Sequence, residues 1–118
     1  MAIKKSLNII VVDQTGSSFQ SINQILKTIG LKRTQLIKSV KDCTAMLSSK
    51  QEEVGLLICC DLDDQTIIEI RAVSDVPIIL VTDHIEQVIV MKYIKAGISS
   101  MIVRPYSADS FINNLVKL

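Results

Sequence analysis

Gly55-Leu56-Leu57-Ile58-Cys59-Cys60-Asp61-Leu62-Asp63-Asp64 is a continuous apolar run that breaks off in three carboxylates within four positions. A run this short, apolar on both alternating faces, predicts a central strand covered on both sides. In open α/β sheets ligands bind at the carboxyl ends of such strands, so any chemistry is expected at the Asp61 edge. Cys60 competes with Asp61 for the strand-end position, because a one-residue slip turns every side chain over. Asp61 is preferred, since a charge inside the strand is costly to bury unpaired. Cys59 and Cys60, like Cys43, then read as small core residues rather than a redox pair.

Upstream, the apolar run Leu7 to Val12 closes in Asp13-Gln14-Thr15-Gly16, a buried strand and its turn. Phe19, Ile22, Ile25, Leu26 and Ile29 follow at helical spacing, with Ser17 or Ser18 as the cap and Gly30 as the stop. Gln35 to Val40 mixes apolar and polar residues, as a strand nearer the sheet edge does. Asp42 to Ser49 reads as a short helix burying Ala45, Met46 and Leu47, and polar residues 48–53 lead into the central strand.

Downstream, Thr66 to Ala72 has room for about two helical turns, with Ile67, Ile68 and Ile70 inward. Ile78 to Val81, ending in Thr82, is a fourth strand. Ile85 to Ala96 is a fourth helix stopped by Gly97, and Ser100 to Val103 a fifth strand before Arg104-Pro105-Tyr106. Ser107 caps a last helix whose buried stripe is Phe111, Ile112, Leu115 and Leu118. His84 is read as exposed and incidental.

Strands alternate with helices without repeat or linker, which predicts one α/β domain over residues 1–118: a doubly wound, five-stranded parallel sheet of order 2-1-3-4-5 with a shortened third helix. That order brings Asp13, Asp61, Thr82 and Arg104 to one edge. The composition agrees: of 118 residues 48% are hydrophobic and 21% charged, which excludes disorder. A net charge of +1 without a standout Lys/Arg cluster implies neither nucleic acid nor an anionic membrane. Three cysteines without C-x-x-C spacing argue against a disulfide framework or zinc site and fit a reducing cytoplasm. Neither a signal peptide nor a membrane-spanning run is recognised.

With that edge assembled, the whole chain resembles the receiver domains of bacterial response regulators. Asn8-Ile9-Ile10-Val11-Val12-Asp13 is similar to the family's first strand and acidic corner, Asp61 to its phosphoacceptor, Val81-Thr82 to its switch hydroxyl, and Val103-Arg104-Pro105-Tyr106 to its Lys-Pro-aromatic ending. The resemblance implies phosphoryl transfer to an aspartate from a histidine kinase or small phosphodonor, with Mg²⁺ bridging acceptor and phosphate oxygens. It also implies a cation that neutralises the phosphate and a hydroxyl that follows it inward.

Departures from the family shape the expectation. Gln14 stands where a second acid is usual, which removes one formal charge from a site that binds a hard cation. Arg104 replaces the lysine, and its planar fork can clamp Asp61 or Asp13 bidentately. The Met-Pro and Asp-Gly that usually follow the acceptor are absent, and only ten positions separate Asp61 from Arg71. Asp63 stands where the family offers a carbonyl to the metal; it either restores charge or caps the third helix, and capping is the preferred reading.

The expected function is therefore an atypical, pseudo-receiver signalling domain of a two-component phosphorelay. It is not an enzyme, acts by protein contact, and holds no cofactor or only weakly bound Mg²⁺ at Asp13 and Asp61. The rival is a working phosphoacceptor phosphorylated at Asp61. A small flavodoxin-like cofactor binder ranks third, because Asp13 to Ser18 has neither P-loop nor G-x-G-x-x-G spacing. If Ile85, Val88, Ile89, Tyr93 and Ala96 face the sheet, then Val90, Met91 and Ile94 turn outward as a contact surface. The family's output surface is this helix with the fifth strand and last helix; the expected partner is a signalling protein, an attached domain or a second copy.

Overall fold

The computed structural model describes residues 6–49 and 54–118 of the chain. The opening residues and the expected polar connection through 50–53 lie outside the described residues. The elements are β1 (Ile9–Val12), α1 (Phe19–Thr28), β2 (Thr34–Ile37), α2 (Val40–Ser49), β3 (Leu56–Cys60), α3 (Asp64–Arg71), β4 (Ile78–Thr82), α4 (Gln87–Ala96), β5 (Ser100–Val103) and α5 (Ala108–Val116). All pairings are parallel in the order β2-β1-β3-β4-β5, the expected doubly wound arrangement.

The central run behaves as its composition requires. All of β3 is buried, with Ile58 registered against Val11 of β1 and Ile79 of β4. Alternation then divides the strands between two apolar layers. Ile9, Val11, Leu56, Ile58, Cys60, Ile79 and Val81 pack with Ile22 and Leu26 of α1 and Phe111 and Leu115 of α5. Ile10, Val12, Leu57, Cys59, Ile78 and Leu80 pack with Cys43 and Leu47 of α2, Ile67 and Ile70 of α3, and Tyr93 and Ala96 of α4. Each fully buried aliphatic side chain contributes about 1.5–3 kcal/mol, so the sheet needs helices on both faces. Gly55 enters β3 where an added Cβ would meet the Leu7 side chain, so a larger residue there would require Leu7 to shift.

Several boundaries and faces differ from expectation. β1 starts at Ile9 rather than Leu7, and β2 spans Thr34–Ile37 rather than Gln35–Val40. Ser39 takes up the next turn, accepting from Asp42 N at its hydroxyl (3.3 Å) and from Cys43 N at its carbonyl (3.1 Å). Helix α2 therefore begins at Val40, which turns Cys43 and Leu47 inward and leaves Ala45 exposed and Met46 half-buried. Asp63 caps α3 through Thr66 N (2.8 Å), so that helix starts at Asp64 and runs for 8 residues. One helical step of 100° then carries Ile68 out to 45% exposure between buried Ile67 and Ile70.

The largest correction is at α4. It starts at Gln87, and of the residues expected to face the sheet only Tyr93 and Ala96 are buried, with Ile89 half-buried against the same layer. Ile85 and Val88 are outside, at 72% and 70% exposure. Gly97 ends α4 at φ +114°, a left-handed conformation that favours glycine.

Candidate functional site

The carboxyl ends of β1, β3, β4 and β5 bring Asp13, Asp61, Thr82 and Arg104 to one edge of the sheet. Asp61 lies one residue beyond β3 at φ +58°, and its N–H donates to Val81 O (2.9 Å). Positive φ is uncommon outside glycine but several-fold enriched for Asp. It turns the carboxylate out of the strand while Cys60 stays inside at 2% exposure. The register thus leaves Cys60 as the last, buried residue of β3 and Asp61 as the first residue beyond it.

Arg104 follows β5, held by its N–H to Thr82 O (2.9 Å). Its Nη1 donates to Asp61 Oδ1 (2.7 Å) and its Nη2 to Asp61 Oδ2 (3.0 Å). Nη2 also donates to Ser18 Oγ (2.9 Å), and Asp83 Oδ1 lies 3.6 Å from Nη1. The hydrogen bonds to Asp61 raise the guanidinium further above its ordinary range, against the opposing effect of burial. The fork occupies both oxygens of the Asp61 carboxylate.

Asp13 is 2% exposed and both its oxygens are engaged: Ser18 N donates to Oδ2 (2.8 Å) and the Thr15 hydroxyl to Oδ1 (3.2 Å). It thus holds the loop that starts α1, and Ser18, the N-cap of α1, turns its hydroxyl to Arg104 instead of to its own helix. Thr82 is 1% exposed, and its Oγ1 accepts from His84 N (3.2 Å). Gln14 is exposed. The Tyr106 ring packs 5.4 Å from that of Phe111, with its hydroxyl 3.4 Å from Ser21 Oγ. Asp63 faces α3, and its hydrogen bonds from Thr66 hold its carboxyl below the usual range.

This donor set does not fit Mg²⁺. A hard cation of that size demands near-octahedral oxygen ligands and is usually held by carboxylates. Here the Asp61 oxygens face a guanidinium, the Asp13 oxygens accept from a hydroxyl and an amide, and Asp63 caps a helix. Among the described residues no group of three or more His, Cys, Asp or Glu is placed to hold a metal ion. The thiol beneath the site is no substitute nucleophile, since burial, reinforced by Asp13, pushes Cys60 up to about 12.

Three participants were not singled out from sequence. Sequence alone marks Ser18 only as a helix cap and Thr15 only as part of a turn. Asp83 was overlooked although it directly follows Thr82, where a carboxylate at the end of β4 is a legible signal. Beside them an open groove of about 890 Å³ runs along α1, lined by Ser18, Ser21, Ile25, Arg104 and Tyr106 among others. The expected contact residues separate: Met91 and Ile94 are exposed at 46% and 55%, whereas Val90 is half-buried.

No family model and no curated protein matches the chain. Solved structures do match in shape. A two-component response regulator from Clostridium difficile superposes with a TM-score of 0.80 at 14% identity, over 95% of this chain and 94% of that one. A response regulator receiver domain protein from Methanospirillum hungatei JF-1 gives 0.78 at 18% identity, over 95% and 93%. The receiver domain of a sensor histidine kinase from Pseudomonas aeruginosa PAO1, with a magnesium ion coordinated in its active-site cleft, gives 0.77 at 19% identity, over 94% and 95%. The chain has the receiver-domain fold.

Proposed function

We propose that this chain is an atypical receiver-like domain of a two-component pathway, whose signal is a protein contact and whose phosphoacceptor position is held by an internal cation. The bidentate Arg104 to Asp61 pair carries the reading. In the receiver-like scheme phosphate on Asp61 is what the cation and the Thr82 hydroxyl gather around. In this chain Arg104 already gathers Asp61, Ser18 and Asp83, and the Thr82 hydroxyl already accepts from His84 N.

The oxygens of Asp61 therefore meet an incoming phosphodonor only after the fork opens, and Gln14 supplies no charge in place of the missing acid. Mg²⁺ binding is correspondingly weak or lost. Output runs through the flank formed by α4, β5 and α5, where the exposed apolar side chains of α4 stand, and a histidine kinase is at most a vestigial partner. None of these roles makes the domain an enzyme or requires nucleic acid or a membrane; no helix among the described residues is long and apolar enough to cross one.

One observation favours the rival. Asp61 retains 56% side-chain exposure, so the fork does not bury it, and a working phosphoacceptor would use that access. The intact mass after incubation with acetyl phosphate and Mg²⁺ separates the two. The atypical reading expects no adduct in folded protein. A phosphoryl adduct that disappears with Asp61→Asn but persists with Cys60→Ser would replace it with the phosphoacceptor reading.

A further inference from the structure

The net charge of +1 conceals a division along the chain. Residues 1–50 hold eight Lys and Arg against two Asp, whereas residues 51–118 hold five Lys and Arg against ten Asp and Glu. Because β2 stands at one end of the sheet and β4 and β5 at the other, the strand order makes that division spatial. Five exposed cations surround the outer strand: Lys27 in the last turn of α1, Lys32 and Arg33 before β2, and Lys38 and Lys41 after it. They form no run in sequence; the fold gathers them. Asn23 accepts from the Thr34 hydroxyl, which seats this flank of α1 beside β2, and Lys27 lies one turn further along it. None of the five forms an ion pair among the described residues.

The strand edge between these cations is open. Ile9 N donates to Arg33 O (2.8 Å) and Asp13 N to Ile37 O (3.1 Å). Alternate residues of a parallel strand serve the same neighbour, so Arg33, Gln35 and Ile37 turn their backbone toward β1, and Thr34, Leu36 and Lys38 turn theirs outward. No described residue bonds to those outward groups. Leu36 is half-buried yet joins neither apolar layer, and its side chain lies with that of Lys38 against Gly16.

We propose that the β2 edge binds an extended acidic segment of a partner protein as a sixth strand. Backbone pairing supplies the register, Leu36 an apolar seat for one side chain, and the surrounding cations the charge complement. The same cations oppose pairing of this edge with its own copy, because like charges would then face each other. Nucleic acid fits less well, since the open edge alternates N–H donors with C=O acceptors and a phosphate backbone offers acceptors alone. Four strand residues make a small interface, so binding is weak and sensitive to salt. The proposal goes beyond the contact reading above and rests on neither Asp61 nor α4.

A peptide of alternating Glu and Val, about ten residues long, titrated into the isotopically labelled full chain, tests it. The amide resonances of Thr34, Leu36 and Lys38 should shift saturably and more than those of Gln35 and Ile37, and binding should weaken as salt is raised. Arg33→Glu combined with Lys38→Glu should weaken binding about tenfold or more, while Lys95→Glu on α4 leaves it unchanged. These positions are exposed, so the variants keep the fold, which circular dichroism verifies. N-methylation of one alternate set of peptide amides should abolish binding to the wild-type chain and methylation of the other set should not, because only one set faces β2. Equal binding of the two methylated peptides would reduce the contact to charge and overturn strand addition. Absence of shifts at β2, or tighter binding of a single-stranded oligonucleotide than of the peptide, overturns the inference as well.

Discussion

Arg104 and Asp61, 43 residues apart in sequence, meet through two parallel hydrogen bonds of 2.7 and 3.0 Å at the carboxyl edge of the sheet. The geometry is the strong bidentate form, but Asp61 keeps 56% of its side-chain surface. Solvent screening holds such a pair to about 1 kcal/mol or less, so the fork is a latch that opens thermally rather than a lock. On the atypical reading proposed above, the missing acid at Gln14 must then contribute as much as the latch to any weakening of metal binding. Calorimetric Mg²⁺ titration should accordingly show no saturable binding in the wild type. Arg104→Lys alone should gain little, and Gln14→Asp combined with Arg104→Lys should gain a saturable site that Asp61→Asn abolishes. Saturable binding by the wild type would contradict the account.

Asp13 acts in the fold before it acts in any chemistry. Its buried carboxylate accepts from Ser18 N and the Thr15 hydroxyl, and removing it orphans an amide at the start of α1. Asp13→Ala should cost about 1–3 kcal/mol in urea unfolding. Asp13→Asn, which keeps an acceptor oxygen, should cost less. Equal stability of Asp13→Ala and wild type would show that the loop does not depend on this residue.

Much of this site was legible in sequence because parallel topology alone collects strand ends. With Asp61 at the end of β3, the order of the strands puts Asp13, Thr82 and Arg104 beside it, and the planar fork of Arg104 suits a bidentate clamp on either Asp61 or Asp13, a choice only the structure makes. Which face α4 presents was not legible. Val88 and Ile89 are equally apolar neighbours about 100° apart, and periodicity cannot say which one the sheet covers when the stripe on the opposite flank is apolar too. Ser39 was missed as a helix start for a related reason: apolar Val40 extends the strand pattern across a boundary set by a hydroxyl.

Asp63 gives the domain one acid-sensitive cap. Hydrogen bonds from Thr66 lower its carboxyl from 3.8, so the native state favours the charged form. The sign follows from linkage: the contribution is fully present above pH 3.8 and is lost as pH falls through the lower folded value. Asp63→Asn still caps but does not titrate, so its stability should fall less steeply than wild type in that acid window, while Asp63→Ala should lose about 1 kcal/mol at neutral pH. Parallel acid profiles for wild type and Asp63→Asn would remove Asp63 as the source.

The three thiols should be silent in the native protein. Burial pushes Cys43 up to about 11 and Cys60 up to about 12, and raises Cys59 well above its ordinary range. Since the thiolate is the reactive form, a disulfide reagent at pH 8 should titrate none of the three in folded protein and all three after unfolding. Rapid native labelling of one thiol would show that its layer opens locally.

Arg71 is the least expected strut of the fold, and it bears directly on how α4 is presented. The guanidinium at the end of α3 donates Nη1 to Ser74 O (3.0 Å) and Val76 O (2.8 Å), and Nη2 to Gly97 O (2.7 Å). It thereby fastens the loop before β4 to the end of α4, where a cation also suits the helix dipole. Removing it leaves three carbonyls short of a charged donor, so Arg71→Ala should cost about 2–3 kcal/mol in urea unfolding. Arg71→Lys should recover only part, because an ammonium cannot reproduce the planar fork. Gly97→Ala tests the same contact from the other side: its Cβ would lie 3.0 Å from Arg71 Nε at a backbone φ of +114°, so it too should destabilise. Because all three changes touch the base of α4, hydrogen exchange at Tyr93, Ile94 and Gly97 should quicken before that of β3. Uniform acceleration across α4 and β3 together would mean that Arg71 supports the whole fold rather than this helix.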